Sequence, residues 1–293
     1  MERLHWLLSR AEVHLLSASA LRDYAKLGLV LAVTILLEVA RRRNWRVRYG
    51  GKSFRLDLLY FVFYYGGFYH ILFFTWIYVA LTGLVARYTP GLQLNLLYAM
   101  PGWLQMVAMI ATSDFVGYWS HRWRHSHWML WEFHSIHHSQ QSLTAVTNYR
   151  FHMVDETLLR LWLFIPFQIL GTTVTTWITL DFIMAWLLLI QHSEWDWHYG
   201  RLGRVFVSPV FHRKHHARAA ELHDTNYGML FSFWDDLFGT AERKLPAPTV
   251  YGVDGPEIPE SFIGQLLHPF RSIWTRWRGR GAPLPDPAPS TSA

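Results

Sequence analysis

The sequence predicts an all-α integral membrane protein, with about four or five membrane helices and a cytoplasmic helical cap that carries clustered histidines. Three observations predict it. Of the 293 residues, 51% are hydrophobic and 17% aromatic, and several long stretches carry no charge at all. Eight histidines recur in three groups with helical spacing and two more lie between them, and the chain has no cysteine. The lack of cysteine excludes disulfides, thiolate-ligated haem, iron–sulfur clusters and cysteine zinc sites built by this chain alone.

In chain order, the first twenty residues include Glu2, Arg3, His5, Arg10, Glu12 and His14. Without a clean apolar core they predict an amphipathic surface helix and no cleavable signal peptide. Leu27 to Ala40 lies between Lys26 and Arg41-Arg42-Arg43 and predicts a first crossing. The basic segment Arg41 to Arg55 then fits a cytoplasmic loop, because short cytoplasmic loops are enriched in Lys and Arg. Leu58 to Ala86 and Leu92 to Ser113 contain no Asp, Glu, Lys or Arg. Each is long enough to cross about 30 Å of hydrocarbon at about 1.5 Å per residue, so they predict a second and a third crossing. Gly66-Gly67 and His70 could kink the former, with a helix-packing hydrogen bond the favoured role for His70, and a short outer loop holding Arg87 joins the two. The third crossing would deliver Asp114, His121, Arg122, Arg124 and His125 to the cytoplasmic side.

Leu158 to Gln191 is apolar but interrupted by Pro166 and Gly171-Thr172-Thr173. A single crossing would strand His192 and the histidines after it on the far side, so a shared site requires two short helices that enter the bilayer and return. Arg280 to Ala293, rich in Pro, Ala and Ser, predicts disorder. The chain thus divides as one membrane domain over 1–293, with N-terminal membrane helices in 1–113, a histidine-bearing region in 114–240 and a C-terminal tail in 241–293. The net charge of +6 could suggest nucleic acid, but the basic residues flank apolar helices and fit anionic lipid headgroups instead.

The histidines fall into His121/His125 (HRWRH), His134/His137/His138 (HSIHH) and His212/His215/His216 (HRKHH), with His152 and His192 between them. Residues three and four apart share one helical face, so each group aims two or three imidazoles at a common point. Neutral imidazole is a ligand for zinc, copper, iron and nickel alike. One zinc takes about four ligands, so ten histidines predict two metals. No ExxH pair lies near the groups, which sets the pattern apart from carboxylate di-iron bundles. Asp114, two turns before His121, is a candidate acceptor for an imidazole N–H, or else an interhelical hydrogen-bond group. His198, His223, Asp224 and Asn226 are candidates for orienting the ligands, with a turn role open for Asp224. His127, six residues after His121, faces away.

The segment Asp114-Phe115-Val116-Gly117-Tyr118-Trp119-Ser120-His121-Arg122, the HxxxH and two HxxHH groups, His223-Asp224-Thr225-Asn226-Tyr227-Gly228 and Phe233-Trp234-Asp235-Asp236-Leu237-Phe238-Gly239-Thr240 together resemble the fatty acid hydroxylase and sterol desaturase superfamily. The resemblance implies two non-haem irons at the cytoplasmic face of a multi-pass membrane protein, dioxygen as co-substrate, a lipid substrate from the bilayer and a separate electron-donor protein. It implies His121, His125, His134, His137, His138, His192, His212, His215 and His216 as ligands. His152 is included as well, although Met153 stands where the family has a proline. A desaturase is the nearest alternative to a monooxygenase. A membrane zinc hydrolase is disfavoured by the surplus of histidines and the lack of HExxH, and a transporter by histidines that follow the helices.

Overall fold

The structure is a computed structural model and describes residues 18–41, 45–88, 96–171, 174–255 and 257–279. The expectations for the N-terminal surface helix up to residue 17, the outer loop after Tyr88 and the tail beyond Gly279 lie outside the described residues. All regular elements among the described residues are helical, and two isolated bridges, Phe206 to Phe231 and Ala217 to Tyr251, pair extended backbone.

Helix α1 (Ala18–Arg41) is followed by the short α2 (Trp45–Gly50) and by α3 (Lys52–Tyr65). Glu38 in the last turn of α1 is buried, takes a hydrogen bond from the Tyr49 hydroxyl and accepts the Glu194 N–H at 2.8 Å. That carboxylate therefore ties the first helix to the backbone just beyond His192. Helix α3 does not run on to Ala86 as one rod. It stops at Gly66-Gly67, and after a π-helical turn (His70–Phe74) the chain resumes as α4 (Thr75–Tyr88), with a 47° bend between the two legs. Glycine is required at this break: Gly67 has φ +81°, and a Cβ on Gly66 would lie 2.4 Å from the Val62 carbonyl oxygen. No single helix among the described residues is long and apolar enough to cross a membrane, whereas the bent pair Lys52–Tyr65 with His70–Leu81 has the length and composition together.

The apolar run predicted from Leu92 is likewise not one helix. Residues 96–100 turn, and α5 (Gly102–Ser126) begins only after Pro101. Proline suits the start of a helix and not its interior, because its nitrogen has no hydrogen to donate. The shift moves the helix toward its histidines: α5 ends directly behind His121 and His125. Helix α6 (Trp128–His138) follows at once, and a 3₁₀ turn (Ala145–Tyr149) leads into α7 (Met153–Leu170). After Gly171, with φ +72°, α8 (Val174–His192) brings the chain back. Asp155 in the first turn of α7 touches His134, and His192 at the end of α8 touches His137. The two ends of this segment therefore meet one turn of α6, which is the returning hairpin expected from the sequence.

The remaining helices are α9 (Pro209–His215), α10 (Phe233–Phe238) and α11 (Phe262–Trp277). Helix α11 lies in the C-terminal segment after Thr240 and packs on α6 and the start of α7 through Phe270, whose ring meets Phe133 at 5.3 Å and His152 at 5.6 Å.

The main core joins Leu31, Leu56, Tyr60, Tyr64 and Tyr69 to Ile136, Ala145, Val146 and Leu189 beneath the histidines. On the outer side of α3 and α4, Leu58, Leu59, Val62, Ile71, Leu72 and Trp76 are exposed, an apolar face of the kind soluble monomers rarely leave in contact with water. Between core and site lies one buried ion pair: Arg150 Nε donates to Asp57 Oδ1 at 2.5 Å, while its Nη2 donates to the Ser53 carbonyl at 2.7 Å. Removing one partner of such a pair leaves a buried uncompensated charge. Arg150→Met should therefore cost about 3–5 kcal/mol and lower the melting temperature by roughly 10 °C in detergent. Asp57→Asn combined with Arg150→Met should lose less than the single change; equal losses would show that the charge is not what matters.

Candidate metal centre

Four short stretches meet at the site: the end of α5, the whole inner face of α6, the end of α8, and α9. Helix α9 starts with Ser208 as its cap, whose Oγ accepts the Phe211 N–H, and Pro209 in its first turn. The cap fixes the phase of the HRKHH run, so His212, His215 and His216 point inward.

Nine of the ten histidines assemble into two adjacent groups. His121, His125, His134, His138 and His215 bring one ring nitrogen each within 4.8 Å of one another, and so do His137, His192, His212 and His216. The two sets share a wall, where the His138 ring stacks on His216 with centroids 4.4 Å apart.

Hydrogen bonds on the outer side of each ring decide which nitrogen faces in. His121 Nδ1 donates to the Tyr227 carbonyl at 2.9 Å, His215 Nδ1 to Thr225 at 2.8 Å, His137 Nδ1 to Arg150 at 3.2 Å and His192 Nδ1 to Leu188 at 2.8 Å. A carbonyl can only accept, so these four rings carry their proton on Nδ1 and present a bare Nε2 lone pair inward. His134 Nδ1 lies 2.8 Å from Asp155 Oδ2, and His125 Nδ1 lies 3.7 Å from Asp224 Oδ1.

The inner nitrogens consequently have nothing to bond. The Nε2 atoms of His121, His125, His134, His138 and His215 are buried without a hydrogen-bond partner. In the second group His137 Nε2 and His192 Nε2 stand 3.2 Å apart. Both rings have spent their proton on a carbonyl, so this contact sets lone pair against lone pair. Such an arrangement is costly in a buried place unless a cation sits among the nitrogens. The donor set fits a metal that accepts several neutral imidazoles. Burial, reinforced by neighbouring imidazoles, holds His121, His137, His138, His212, His215 and His216 well below the ordinary histidine pKa. Burial also brings His125 and His134 down to about 4, against the pull of Asp224 and Asp155. The rings are neutral, the form that ligates.

His152 stands apart. Its Nδ1 accepts the Val154 N–H at 3.1 Å and its Nε2 meets the Leu266 carbonyl at 3.1 Å. With both nitrogens occupied, it caps α7 and braces α11 and is not a ligand here, which corrects the expectation for the tenth histidine.

Asp114 also takes another part. It reaches no imidazole; its carboxylate accepts the Leu230 and Phe231 N–H groups at 2.6 and 3.0 Å and the Trp234 indole N–H at 2.8 Å. Asp235 does the same for the Tyr227 and Gly228 N–H groups at 2.7 and 2.9 Å. Together they hold the loop 225–234, whose Thr225 and Tyr227 carbonyls fix His215 and His121. A Cβ on Gly228 would lie 2.6 Å from the Phe231 carbonyl oxygen, which explains the glycine. Asn226 joins the same loop to α9, donating to the Phe211 carbonyl at 2.9 Å and accepting the Glu242 N–H at 2.7 Å. Asp224 lies beside His125 and takes the Tyr227 hydroxyl at 3.1 Å. His198 and His223 are exposed, and His223 Nε2 bonds the Arg218 carbonyl; neither reaches the cluster, contrary to expectation.

Asp155 and Arg124 form the part of the site that spacing arguments missed. Arg124 Nη1 is 3.2 Å from Asp155 Oδ1, and both are buried. Burial would raise the Asp155 carboxyl, but Arg124 and His134 outweigh it and hold it at about 2. It is an ionised carboxylate fixed behind His134. The only sequence signal was an acidic residue within the first turn after His152.

Removing a carboxylate behind a ligating histidine typically weakens metal affinity by about 10–100-fold. Asp155→Ala should do so for the five-histidine group, read by metal titration and elemental analysis. His152→Gln should keep full metal content; loss of one metal equivalent in that variant would return His152 to the ligand set.

A fatty acid hydroxylase family model matches residues 106–240. Those residues contain every histidine of the two groups and the loop that holds them. The chain is 34% identical over 168 residues to an ornithine lipid hydroxylase of Rhizobium tropici, covering 57% of this chain and 50% of that protein. It is 30% identical to an alkylglycerol monooxygenase of Homo sapiens over 55% of this chain and 36% of that protein. It is 24% identical to a very-long-chain aldehyde decarbonylase of Oryza sativa, over 48% and 25% respectively. The chain thus spans half of the first of these relatives and less of the others. No solved structure matches it significantly. The region 106–240, which carries both all-histidine groups, is therefore similar to the fatty acid hydroxylase family.

Proposed function

We propose that the chain is a membrane-bound lipid hydroxylase whose two histidine groups each hold a non-haem iron. The observation that carries this is the pair of adjacent clusters of bare imidazole nitrogens, five and four in number, in a region similar to a lipid hydroxylase and an alkylglycerol monooxygenase. Bound iron would supply the power to activate dioxygen that no side chain possesses. The reaction balances as C–H plus O₂, two electrons and two protons giving C–OH and water. The similarity to an ornithine lipid hydroxylase and an alkylglycerol monooxygenase favours hydroxylation over desaturation.

The chain's own residues hold the site in one geometry and keep it dry. Carbonyls of Leu188, Arg150, Thr225 and Tyr227 and the carboxylates of Asp155 and Asp224 orient the rings from outside. No carboxylate lies among the inner nitrogens of the two groups, so hydrolysis through a general-base glutamate has no support here.

In this proposal the bent pair α3 and α4 forms one of the membrane spans, the hairpin of α7 and α8 dips into the bilayer, and the histidines face the cytoplasm. The exposed apolar face of α3 and α4 supports that placement. A lipid enters laterally from the bilayer, and a separate reductase or small electron carrier docks on the cytoplasmic side, since the chain has no flavin, haem or iron–sulfur signature.

The purified chain, reconstituted with iron, an electron donor, oxygen and a total lipid extract, should produce lipids heavier by one oxygen atom, read by mass spectrometry. A loss of two hydrogens would make it a desaturase. Turnover without oxygen would make it a hydrolase, and no oxygen consumption with any donor would overturn the oxygenase assignment. Changing His137 and His138 together to Ala removes one ligand from each group. Iron content and turnover should fall together, turnover to below about 1% of the parent.

A further inference from the structure

Helix α11 (Phe262–Trp277) follows the family-matched region and has a job that neither the metal site nor the core explains. Its inner side is committed: Gln265 and Pro269 are buried, and the Leu266 carbonyl meets His152. Its outer side is a continuous apolar stripe. Ile263, Leu267, Phe270, Trp274 and Trp277 are spaced four, three, four and three residues apart and are exposed, from 42% at Leu267 to 76% at Trp277. At about 100° per residue those positions fall within an arc of roughly 80°.

The surroundings of the stripe say what covers it. From Ser261 to Pro285 the chain has no Asp or Glu, but it has Arg271, Arg276, Arg278 and Arg280. Arg278 lies over the Trp274 ring at 4.1 Å, and Arg276 lies over Trp128 at 4.6 Å. Trp128 opens α6, and near the end of α5 the exposed Trp123 meets Trp162 edge to face at 5.2 Å. The stripe therefore continues into a rim of indoles. Indoles beside arginines, on a helix whose other face is committed to protein, match the chemistry of the membrane–water boundary. A seam between two copies would set Arg271 and Arg278 against their own counterparts, which like charge disfavours.

We infer that α11 lies flat on the bilayer surface, with Ile263, Leu267, Trp274 and Trp277 sunk among the acyl chains, the half-exposed Phe270 ring bridging them to Phe133 and His152, and its arginines on anionic headgroups. The inference rests on the membrane placement proposed above and adds a site of lipid contact outside the spans. The His152 contact makes α11 continuous with the start of α7, so the surface helix is mechanically joined to the segment that carries Asp155.

Because the chain has no cysteine, single cysteines can be spin-labelled without background. Labels would be placed at Ile263→Cys, Trp274→Cys and the polar-side Thr275→Cys, with Leu58→Cys and Leu72→Cys on the bent pair as references. The full chain would be reconstituted in phosphatidylcholine vesicles with and without phosphatidylglycerol. Collision rates with oxygen, which partitions into lipid, and with a water-soluble chromium chelate then report depth. The oxygen-to-chelate ratio at 263 and 274 should exceed that at 275 by at least about threefold, and phosphatidylglycerol should raise it. Ratios at 263 and 274 equal to that at 275, with 58 and 72 shielded, would overturn the inference while leaving the membrane placement intact. Chelate access at 58 and 72 as well would sink the placement itself. Spin–spin broadening at 274 that disappears on dilution with unlabelled chain would make the stripe an interface between copies and overturn the lipid assignment.

Discussion

An imidazole has two nitrogens, and the whole site depends on how the outer one is spent. Four rings give their Nδ1 proton to a backbone carbonyl, one meets a carboxylate directly, and one faces Asp224. Each bond fixes the tautomer, the ring angle and the inward lone pair at once. The carbonyls available for this belong to distant stretches: a 3₁₀ turn before α7, the last turn of α8 and the 225–234 loop. Much of the fold is accordingly devoted to bringing backbone oxygens to the right places. The Asp57–Arg150 pair positions the Arg150 carbonyl, and the Asp114 and Asp235 carboxylates position those of Thr225 and Tyr227. Acidic residues one layer out thereby act on the rings without touching them.

The histidine groups were legible in the sequence because spacing on a helix is a local property. HxxxH and HxxHH share a face wherever the helix goes, and all eight of those rings converge, joined by His192. Orientation was less legible, because it depends on residues far away in the chain. Asp114 has the helical phase of His121, yet its carboxylate finds backbone N–H groups 116 and 117 residues on. Asp155 has no helical relation to His134 and lies against it only through the turn of the chain at residues 139–152. His152 sits between two clusters in sequence, but α11, far beyond, claims its Nε2. His198 and His223 flank ligands in sequence and lie at the surface in space.

The apolar runs were similarly legible in composition and not in continuity. A charge count does not register that Pro101 favours the start of a helix over its interior, nor that Gly66-Gly67 turns the chain by 47°. The broken hairpin of α7 and α8 was foreseen for a different reason, a topological one: histidines on both sides of it had to reach one place. That constraint proved a better guide than hydropathy, and it accounts for a glycine with positive φ at the hinge, Gly171.

The order in which the four segments occur has a consequence for biosynthesis. His121 and His125 leave the ribosome first, and His212, His215 and His216 last, with the Thr225 and Tyr227 carbonyls later still. The four-histidine group is complete once His216 has been made, whereas the five-histidine group also needs the loop that the Asp235 carboxylate shapes. Until then half-built clusters of imidazoles stand open to whatever metal the cell offers, and which metal is captured becomes a matter of timing and supply as much as of ligand chemistry.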